Sequence, residues 1–300
     1  MSPVSAGGSR RTFTGSRPIL ALALVTALGL TASAGAAGSV VIAGNGPELP
    51  TIERLARAFE KRYLGRVVEV RWDQDSDPVA LVKTGVAQVA VTGQADPSLA
   101  ATPIAWDGIA VIVSVANPTK EVTLQQVAAI FSGRATRWEQ PGGRGATIQL
   151  ITRPPNQNIR QGFEAALGIA GQIPRSARLI RSDQRAISTV AGNLGAVAYA
   201  SLKPALDAVK YGVDVSLLQI DRVEAADQTV RDGRYKLRRP VLLLSTSEPD
   251  PVAEAFAGFA LSPEGQELVG EMYTPYRAPE ESKPRQGPPV GSSPGNRPES

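Results

Sequence analysis

A continuous apolar run followed by a capped helix is the feature that most constrains the fold of this chain. Residues 109–113 are mostly β-branched and apolar, and a run of this length suits a strand buried on both faces. Asn117-Pro118 ends that strand, and Thr123 with Gln126 forms the pattern of a capping box for a helix through Phe131. Such a passage is what a crossing between two lobes would look like, although a single domain could also contain it.

Strand and helix patterns alternate before this run. Apolar residues recur at helical spacing from Ile52 to Tyr63, and Asp77-Pro78 has the pattern of an N-cap followed by the first helical residue. The predicted order is strand 39–43, helix, strand 67–72, helix from Asp77, strand 86–92. This βαβαβ order predicts a parallel sheet with right-handed crossovers, whose strand-end loops gather at one edge.

The second half of the chain continues with strands and helices in alternation. We expect Asn156 or Asn158 to cap a helix over residues 159–167, and Ser182 or Asp183 to start another. Further elements are predicted as strands 148–152, 196–199 and 241–244, a helix from Asp250-Pro251, and a helix restarted at Ser262-Pro263.

Composition excludes several kinds of site. The 300-residue chain contains no cysteine and no histidine, so disulfides, thiolate or imidazole metal sites and catalytic triads built on either residue are excluded. The formal charge of +4 falls to +1 without the three arginines near the N-terminus, and no basic stripe with interleaved aromatic residues is present. We therefore expect no nucleic-acid partner.

Both ends of the chain differ from the rest. Residues 1–36 combine Arg10, Arg11 and Arg17, an apolar run at 19–30 and small residues near an A-x-A site, a pattern typical of an export signal. A membrane anchor is the alternative, but a spanning helix needs roughly 20 apolar residues. The sequence leaves both the general and the twin-arginine export routes open. Residues 278–300 are rich in Pro, Gly, Ser and charge, which predicts a disordered tail.

The loops at the strand ends are the coherent candidates for a site, because backbone N–H groups at helix N-termini form an anion cradle. Each candidate also has a purely structural alternative as a turn, a helix cap or a surface ion pair. The predicted ligand-binding residues are Asn45, Gly46, Ser76, Asp77, Thr92, Gly93, Arg153, Gln157, Asn158 and Arg160.

Several segments resemble the phosphate-binding proteins of bacterial ABC phosphate importers. They are Asp-Gly-Ile-Ala-Val-Ile-Val from Asp107, Asn117-Pro118, residues 124–127 and 130–133, Trp138 with Gly142-Gly143, Phe163-Glu164 with Leu167-Gly168, Gly195 to Tyr199, and residues 256–266. They fall in that family's order and approximate spacing, so the resemblance covers about residues 39–276.

The resemblance implies an α/β, two-lobed periplasmic-binding-protein-like type II fold, with each lobe a mostly parallel sheet flanked by helices. It implies lobe 1 at 37–114, lobe 2 at 115–200 and a return to lobe 1 at 201–277. The strand-end loops named above correspond to those with which the family surrounds an oxyanion. By resemblance the protein is an exported monomer without a cofactor, which presents its ligand to an ABC permease in the inner membrane.

The chain also departs from the family's pattern. The family's second-lobe helix usually opens Ser-Gly-Thr-Arg, whereas residues 157–160 read Gln-Asn-Ile-Arg, so two hydroxyl donors and a glycine are absent. Gly93 stands about where the classical phosphate binders of this family have a carboxylate, and Gln88 replaces an aspartate that is common just upstream in the family. Each lost donor costs on the order of 1 to 3 kcal/mol, so tight phosphate binding is doubtful.

Three functional alternatives therefore stay open. Arg153, Arg160 and the amides could serve a different oxyanion or a polar neutral solute. The fold could instead be an envelope interaction or sensory module that has lost tight phosphate binding. A hydrolase using the acidic residues Asp73, Asp75 and Asp77 is the third, although acidic loops are usually solvated.

Overall fold

The computed structural model describes residues 38–139 and 146–276, which fold into a mixed α/β structure. The expected export signal, the expected tail and Gly142-Gly143 lie outside the described residues. No helix within the described ranges is both long enough and apolar enough to cross a membrane.

The elements alternate between strands and helices along most of the chain. The strands are β1 (Gly38–Gly44), β2 (Arg66–Trp72), β3 (Val89–Thr92), β4 (Ala100–Ser114), β5 (Glu121–Val122), β6 (Gln149–Thr152), β7 (Arg178–Leu179), β8 (Ala196–Ser201), β9 (Val215–Leu217), β10 (Gln219–Ile220), β11 (Arg238–Ser245) and β12 (Thr274–Pro275). The helices are α1 (Leu49–Arg62), α2 (Pro78–Lys83), α3 (Leu124–Phe131), α4 (Asn158–Leu167), α5 (Asp183–Ala191), α6 (Leu202–Lys210), α7 (Asp227–Arg231), α8 (Pro251–Ala260) and α9 (Pro263–Gly270).

One sheet contains most of the strands, in the order β2-β1-β3-β11-β4-β8-β6-β7. Strands β1, β2 and β3 are parallel to one another, as are β6, β7 and β8. Between these groups lie β11 and β4, which are antiparallel to each other and to their outer neighbours β3 and β8. The sheet is thus parallel at both ends, which confirms the predicted fold class.

Two large hydrophobic cores lie along this sheet. The first contains buried residues of β1, β3, α1 and α8, including Phe59 and Phe256, whose rings pack edge to face at 5.5 Å. The second contains Phe131, Phe163 and Tyr199, the last two stacked at 4.0 Å. A small third cluster packs α2 against the opposite face of β3 and β11.

Strand β4 contributes to both large cores. Ile104 and Ala105 belong to the first core, whereas residues 109–113 belong to the second. The apolar run 109–113 is therefore the part of the 15-residue strand β4 that packs in the second core. The crossing between cores lies inside β4, near Asp107, rather than in the loop after it.

Most predicted helix starts agree with the structure. Thr123 and Gln126 form a reciprocal capping box, and Asp77, Ser182 and Asp250 each cap a helix through the side chain. The predicted cap of α4 was wrong, because Gln157 occupies the N-cap position without a side-chain bond and Asn158 is the first helical residue. The side chain of Asn158 is directed instead to a carboxylate across the sheet edge.

Candidate functional site

The carboxyl ends of β1, β3 and β6 bring the predicted site residues together. Asn45 follows β1 directly, Thr92 ends β3, and Arg153 follows β6. Asn45 lines two adjoining cavities, one also lined by Arg153 and the other by Asp77 and Thr92. We refer to them as the Arg153 cavity and the Asp77 cavity. The predicted convergence of loops from both halves of the chain is present.

The Arg153 cavity has a volume of about 260 Å³. Gly46, Gln157, Trp72 and Asp183 are among the residues that line it. The smaller Asp77 cavity, of about 150 Å³, is lined in part by Ser76, Asn156 and Asn158. Small polar solutes fit cavities of this size, with amide and guanidinium groups in their walls.

Arg153 is buried and held in place from several directions. Its Nη2 donates to Asp183 Oδ1, and its backbone N–H donates to the hydroxyl of Tyr199 at 3.3 Å. Its carbonyl accepts a hydrogen bond from Arg160 Nη1 at 2.8 Å. The Nε atom of Arg153 is buried and has no hydrogen-bond partner among the described residues. Buried donors without a partner are uncommon in proteins, and Arg153 also lines the cavity, so its guanidinium is the candidate for a ligand contact.

Arg160 lines neither cavity. Its Nε donates to Glu164 Oε1 at 2.6 Å, one helical turn later, and its Nη1 donates to the Arg153 carbonyl. The guanidinium of Arg160 thus fixes the backbone that carries Arg153. Arg160 therefore stabilises the loop after β6 without lining a cavity itself.

Asn45 and Asn156 join the loops of the two halves. Asn45 Nδ2 donates to the carbonyls of Ser76 and Asn156 at 3.1 and 3.0 Å, and Asn156 Nδ2 donates to the Gln74 carbonyl at 2.7 Å. The Oδ1 atom of Asn45 is buried without a partner among the described residues. Asn45 also lines both cavities, so its side-chain amide is a candidate for a ligand contact.

Three predicted residues have clear local roles. Asp77 Oδ1 accepts from the backbone N–H groups of Val79 and Ala80, so it caps α2. Thr92 Oγ1 accepts from the Gln94 N–H at 3.3 Å. The buried side chain of Gln157 donates a long 3.5 Å bond from Nε2 to the Arg181 carbonyl.

A buried charge cluster that the sequence interpretation missed lies beside these cavities. It consists of Glu48, Asp107 and Arg239, all at most 1% exposed. Arg239 donates to Asp107 Oδ2 through Nε and Nη2 at 3.1 and 2.8 Å, and to Glu48 Oε1 through Nη2 at 2.5 Å. Because Asp107 and Arg239 are paired in register on β4 and β11, the cluster lies at the level where the chain crosses between cores.

Glu48 also contacts the second half of the chain. Asn158 Nδ2 donates to both carboxylate oxygens of Glu48, at 3.2 and 3.1 Å. A Cβ placed on Gly46 would lie 2.3 Å from Glu48 Oε2 and 2.3 Å from Asn158 Oδ1. Glycine at position 46 therefore allows the carboxylate and the amide to pack directly on the backbone. Gly93 faces the same cluster, since its Cβ would lie 3.0 Å from Arg239 Nη1.

The electrostatics of the cluster are dominated by burial. Burial raises the pKa of Asp107 to about 7, although the nearby charge of Arg239 acts to lower it. The carboxylates of Asp183 and Glu48 raise this pKa further. Burial likewise raises the pKa of Tyr199 to about 12, so its hydroxyl stays neutral beside Arg153.

One signal in the sequence could have identified the cluster. Asp107 lies two residues before the apolar run 109–113 of β4, and Arg239 lies two residues before the apolar run 241–244 of β11. Charges in buried strands are normally paired, so each implies a partner of opposite sign. No group of acidic residues suited to a metal ion occurs within the described part of the chain.

Comparison with known proteins agrees with this architecture. A family model described as a PBP superfamily domain matches residues 30–264. The phosphate-binding protein PstS of Bacillus subtilis is 22% identical over 242 residues, covering 78% of this chain and 79% of that protein. PstS 2 of Streptococcus pneumoniae is 30% identical over 131 residues, and the match spans only 43% of its length.

Two solved structures are similar over most of the chain. One is described as a candidate phosphate ABC transporter substrate-binding protein from Clostridium perfringens with bound phosphate; its TM-score is 0.70 at 27% identity, covering 80% of this chain and all of that one. The other is an ABC-type phosphate transport receptor from Vibrio cholerae, with a TM-score of 0.70 at 25% identity, covering 78% of this chain and 98% of that one.

Proposed function

Because this chain belongs to the PBP superfamily, whose model spans residues 30–264, we propose that it is the substrate-binding protein of an ABC importer and captures phosphate or another small oxyanion. Its similarity to a structure with bound phosphate supports this proposal. The observation in this chain that carries it is the buried Arg153, which lines a cavity of about 260 Å³ and whose Nε has no partner among the described residues.

The ligand position follows from the unpartnered polar atoms. Arg153 Nε is a donor without a partner among the described residues, and Asn45 Oδ1 and Asn158 Oδ1 are acceptors of the same kind. A partly protonated oxyanion carries both acceptors and a donor, so it suits this combination. We place the ligand between the β1–α1 loop and the N-terminus of α4, where Asn45, Gly46, Arg153, Gln157 and Asn158 meet.

The two cores correspond to the two lobes in this proposal. We propose that residues 38–105 belong to the first lobe and that the crossing occurs near Asp107. The expected return at residue 201 stays a prediction, but the buried side chains from Leu202 to Leu237 pack in the second core. This packing favours a later return, at β11. Closure of such lobes on a solute is the usual movement of two-lobed binding proteins.

The cellular context is also part of the proposal. The export signal expected at residues 1–36 would deliver the protein outside the cytoplasm, in the periplasm or beyond it, where it would meet an ABC permease of the inner membrane. Solute capture by this family requires no bond making or breaking by the protein, so we propose a binding protein and not an enzyme. We propose that it acts as a monomer.

A direct test is a binding measurement on the purified protein. A ligand at about 100 times its dissociation constant should stabilise the folded state by roughly 2.7 kcal/mol, which raises the melting temperature. We would screen phosphate, sulfate, molybdate, small phosphonates and carboxylates, and confirm each positive result by calorimetry.

Arg153→Ala should abolish the response to phosphate, while the exposed Arg175→Ala should keep it. Circular dichroism controls for unfolding of Arg153→Ala, because this variant leaves Asp183 without its guanidinium partner. No response across the whole panel, or an unchanged response in Arg153→Ala, would contradict capture of an anion at this site.

A second candidate function is an envelope interaction or sensory module that keeps the fold without tight phosphate binding. The contact between Glu48 and Arg239 favours it, because a carboxylate of the protein already uses a buried cation beside the cavities. If no anion of the panel binds to this protein or to its variants, this candidate is favoured.

A further inference from the structure

Glu48 has the surroundings of a bound anion. Its carboxylate is completely buried and accepts hydrogen bonds from the guanidinium of Arg239 and the amide of Asn158. These donors come from β11 and from the first residue of α4, on different parts of the chain. Guanidinium groups and side-chain amides are donors that proteins use for oxyanions.

The neighbouring atoms leave no room for a second anion at this position. The Glu48 carboxylate and the Asn158 amide both press against Gly46, and Arg239 is already shared between Glu48 and Asp107. Neither the Arg153 cavity nor the Asp77 cavity is lined by Glu48 or Arg239. The volume next to Arg239 is therefore filled by the Glu48 side chain.

The charges around the two cavities also oppose a highly charged ligand. The Arg153 cavity is lined by Arg153, Arg181 and Asp183, and the other cavity by Asp77. Arg153 is paired with Asp183 and Arg181 with Asp75, and Arg239 in the neighbouring cluster is paired with Glu48 and Asp107. A dianion placed beside Arg153 would thus meet cations that are already paired with carboxylates. Like charges in a partly buried site repel strongly, because the effective dielectric constant is low.

We propose that Glu48 is a tethered carboxylate that occupies the oxyanion position between Arg239 and Asn158, and so sets the specificity of the cleft against dianions and in favour of singly charged or neutral oxyacids. This inference rests on the proposed function, since it concerns the same cleft. Glu48 competes with an incoming anion for Arg239 and Asn158, and the ligand of the unaltered protein is confined to the Arg153 side.

The test compares Glu48→Gln with the unaltered protein by calorimetry. Glutamine is nearly isosteric: its oxygen can accept from Arg239, and its amide can donate to Asn158 Oδ1, which has no partner among the described residues. The control is Glu267→Gln, which removes an exposed carboxylate outside both cavities and away from Arg153 and Arg239. Phosphate and sulfate are the dianionic probes at pH 7.5, and formate is the singly charged probe.

We expect Glu48→Gln to bind phosphate and sulfate at least about tenfold more tightly than the unaltered protein, because one carboxylate has been removed from beside the ligand. Formate affinity should change less, and Glu267→Gln should match the unaltered protein for all three probes. A purely structural Glu48 would leave these affinities unchanged.

A second measurement covers the case in which Glu48→Gln folds poorly. Glu48→Ala removes the carboxylate and leaves space, so acetate or phosphate should raise the melting temperature of this variant more than that of the unaltered protein. A rise in melting temperature that depends on the added anion is expected only if the space left by the Glu48 side chain binds anions.

The outcomes separate this inference from the proposed function. If the unaltered protein binds phosphate and Glu48→Gln binds it no more tightly, the role of Glu48 is wrong and the proposed function stands. If neither protein nor any variant binds an anion, both are wrong. If only the Glu48 variants bind, the tethered carboxylate is supported.

Discussion

The guanidinium of Arg239 donates two hydrogen bonds to the Asp107 carboxylate, from Nε at 3.1 Å and from Nη2 at 2.8 Å. The two residues are paired in register on neighbouring antiparallel strands, 132 positions apart in the chain. The hydroxyl of Ser201 donates a further bond to the same Asp107 oxygen at 3.0 Å. A charged pair is therefore built into the sheet where the two cores meet.

Asp107 should make the stability of the protein depend on pH. Burial raises its pKa from 3.8 to about 7, so the folded state holds the proton more tightly than the unfolded chain. The stabilising contribution of this proton is complete below about pH 4 and is lost as the pH rises through about 7. Relative to Asp107→Asn, which has no such proton, the unaltered protein should lose stability across this window.

Urea unfolding at several pH values between 4.5 and 7.5 measures this difference. The exposed Asp214→Asn is the control, and its stability should follow that of the unaltered protein at each pH. Parallel profiles for the unaltered protein and Asp107→Asn would show that Asp107 titrates normally in the folded state.

Tyr199→Phe should weaken the support of Arg153. The Tyr199 hydroxyl is 3.0 Å from Thr152 Oγ1 and accepts from the Arg153 N–H at 3.3 Å. Removing it leaves a buried N–H without a partner, which costs about 1 to 3 kcal/mol of unfolding free energy. Chemical unfolding measures the loss, and oxyanion affinity should fall with it. Tyr211→Phe, at an exposed ring, should change stability by less than about 0.5 kcal/mol.

Gly46→Ala should overpack the cleft. Its Cβ would lie 2.3 Å from both Glu48 Oε2 and Asn158 Oδ1. We therefore expect the free energy of unfolding to fall by about 1 to 3 kcal/mol, as measured by chemical unfolding. Gly192→Ala, which has open space around its Cβ position, serves as the control.

The Gly46→Ala penalty should shrink when Glu48→Ala is already present, because one of the two crowding atoms is gone. Neighbouring residues in contact commonly show such non-additivity. A penalty that adds fully in the double variant would mean that position 46 does not contact Glu48 in solution.

Asp77 and Asp250 form a matched pair. Each is an N-cap residue followed by proline, and each accepts two backbone hydrogen bonds at the start of its helix. Alanine at either position should lower the free energy of unfolding by about 1 kcal/mol. Asparagine is an equally good N-cap residue and should leave the stability nearly unchanged.

Only Asp77 lines the candidate site, so only Asp77→Asn should raise the affinity for anions, by removing a negative charge from the Asp77 cavity. Thermal unfolding and phosphate calorimetry on both asparagine variants test this. Equal affinity changes in Asp77→Asn and Asp250→Asn would contradict placing the ligand within reach of the charge in the adjoining Asp77 cavity.

Local patterns predicted most of the architecture. Asp77, Thr123, Ser182, Asp250 and Ser262 all cap helices as their sequence patterns indicate, because a cap is determined by residues within one turn. The convergence of strand-end loops also followed from the parallel order of the first strands.

What the sequence could not provide is long-range pairing. The β11 strand is inserted between β3 and β4, and no local pattern specifies this order. Glu48 meets Arg239 across 191 positions, and Asn158 turns away from capping its own helix to reach Glu48. In each case an interaction distant in sequence determines where a polar side chain is directed.

The continuity of β4 has a mechanical consequence. Because one unbroken strand contributes to both cores and is paired with β11 on both sides of Asp107, the cores are joined by paired sheet rather than by a loose linker. Rotation of one core against the other must be taken up as elastic twist spread along two strands. We expect such a connection to resist wide openings of the proposed cleft more strongly than small ones.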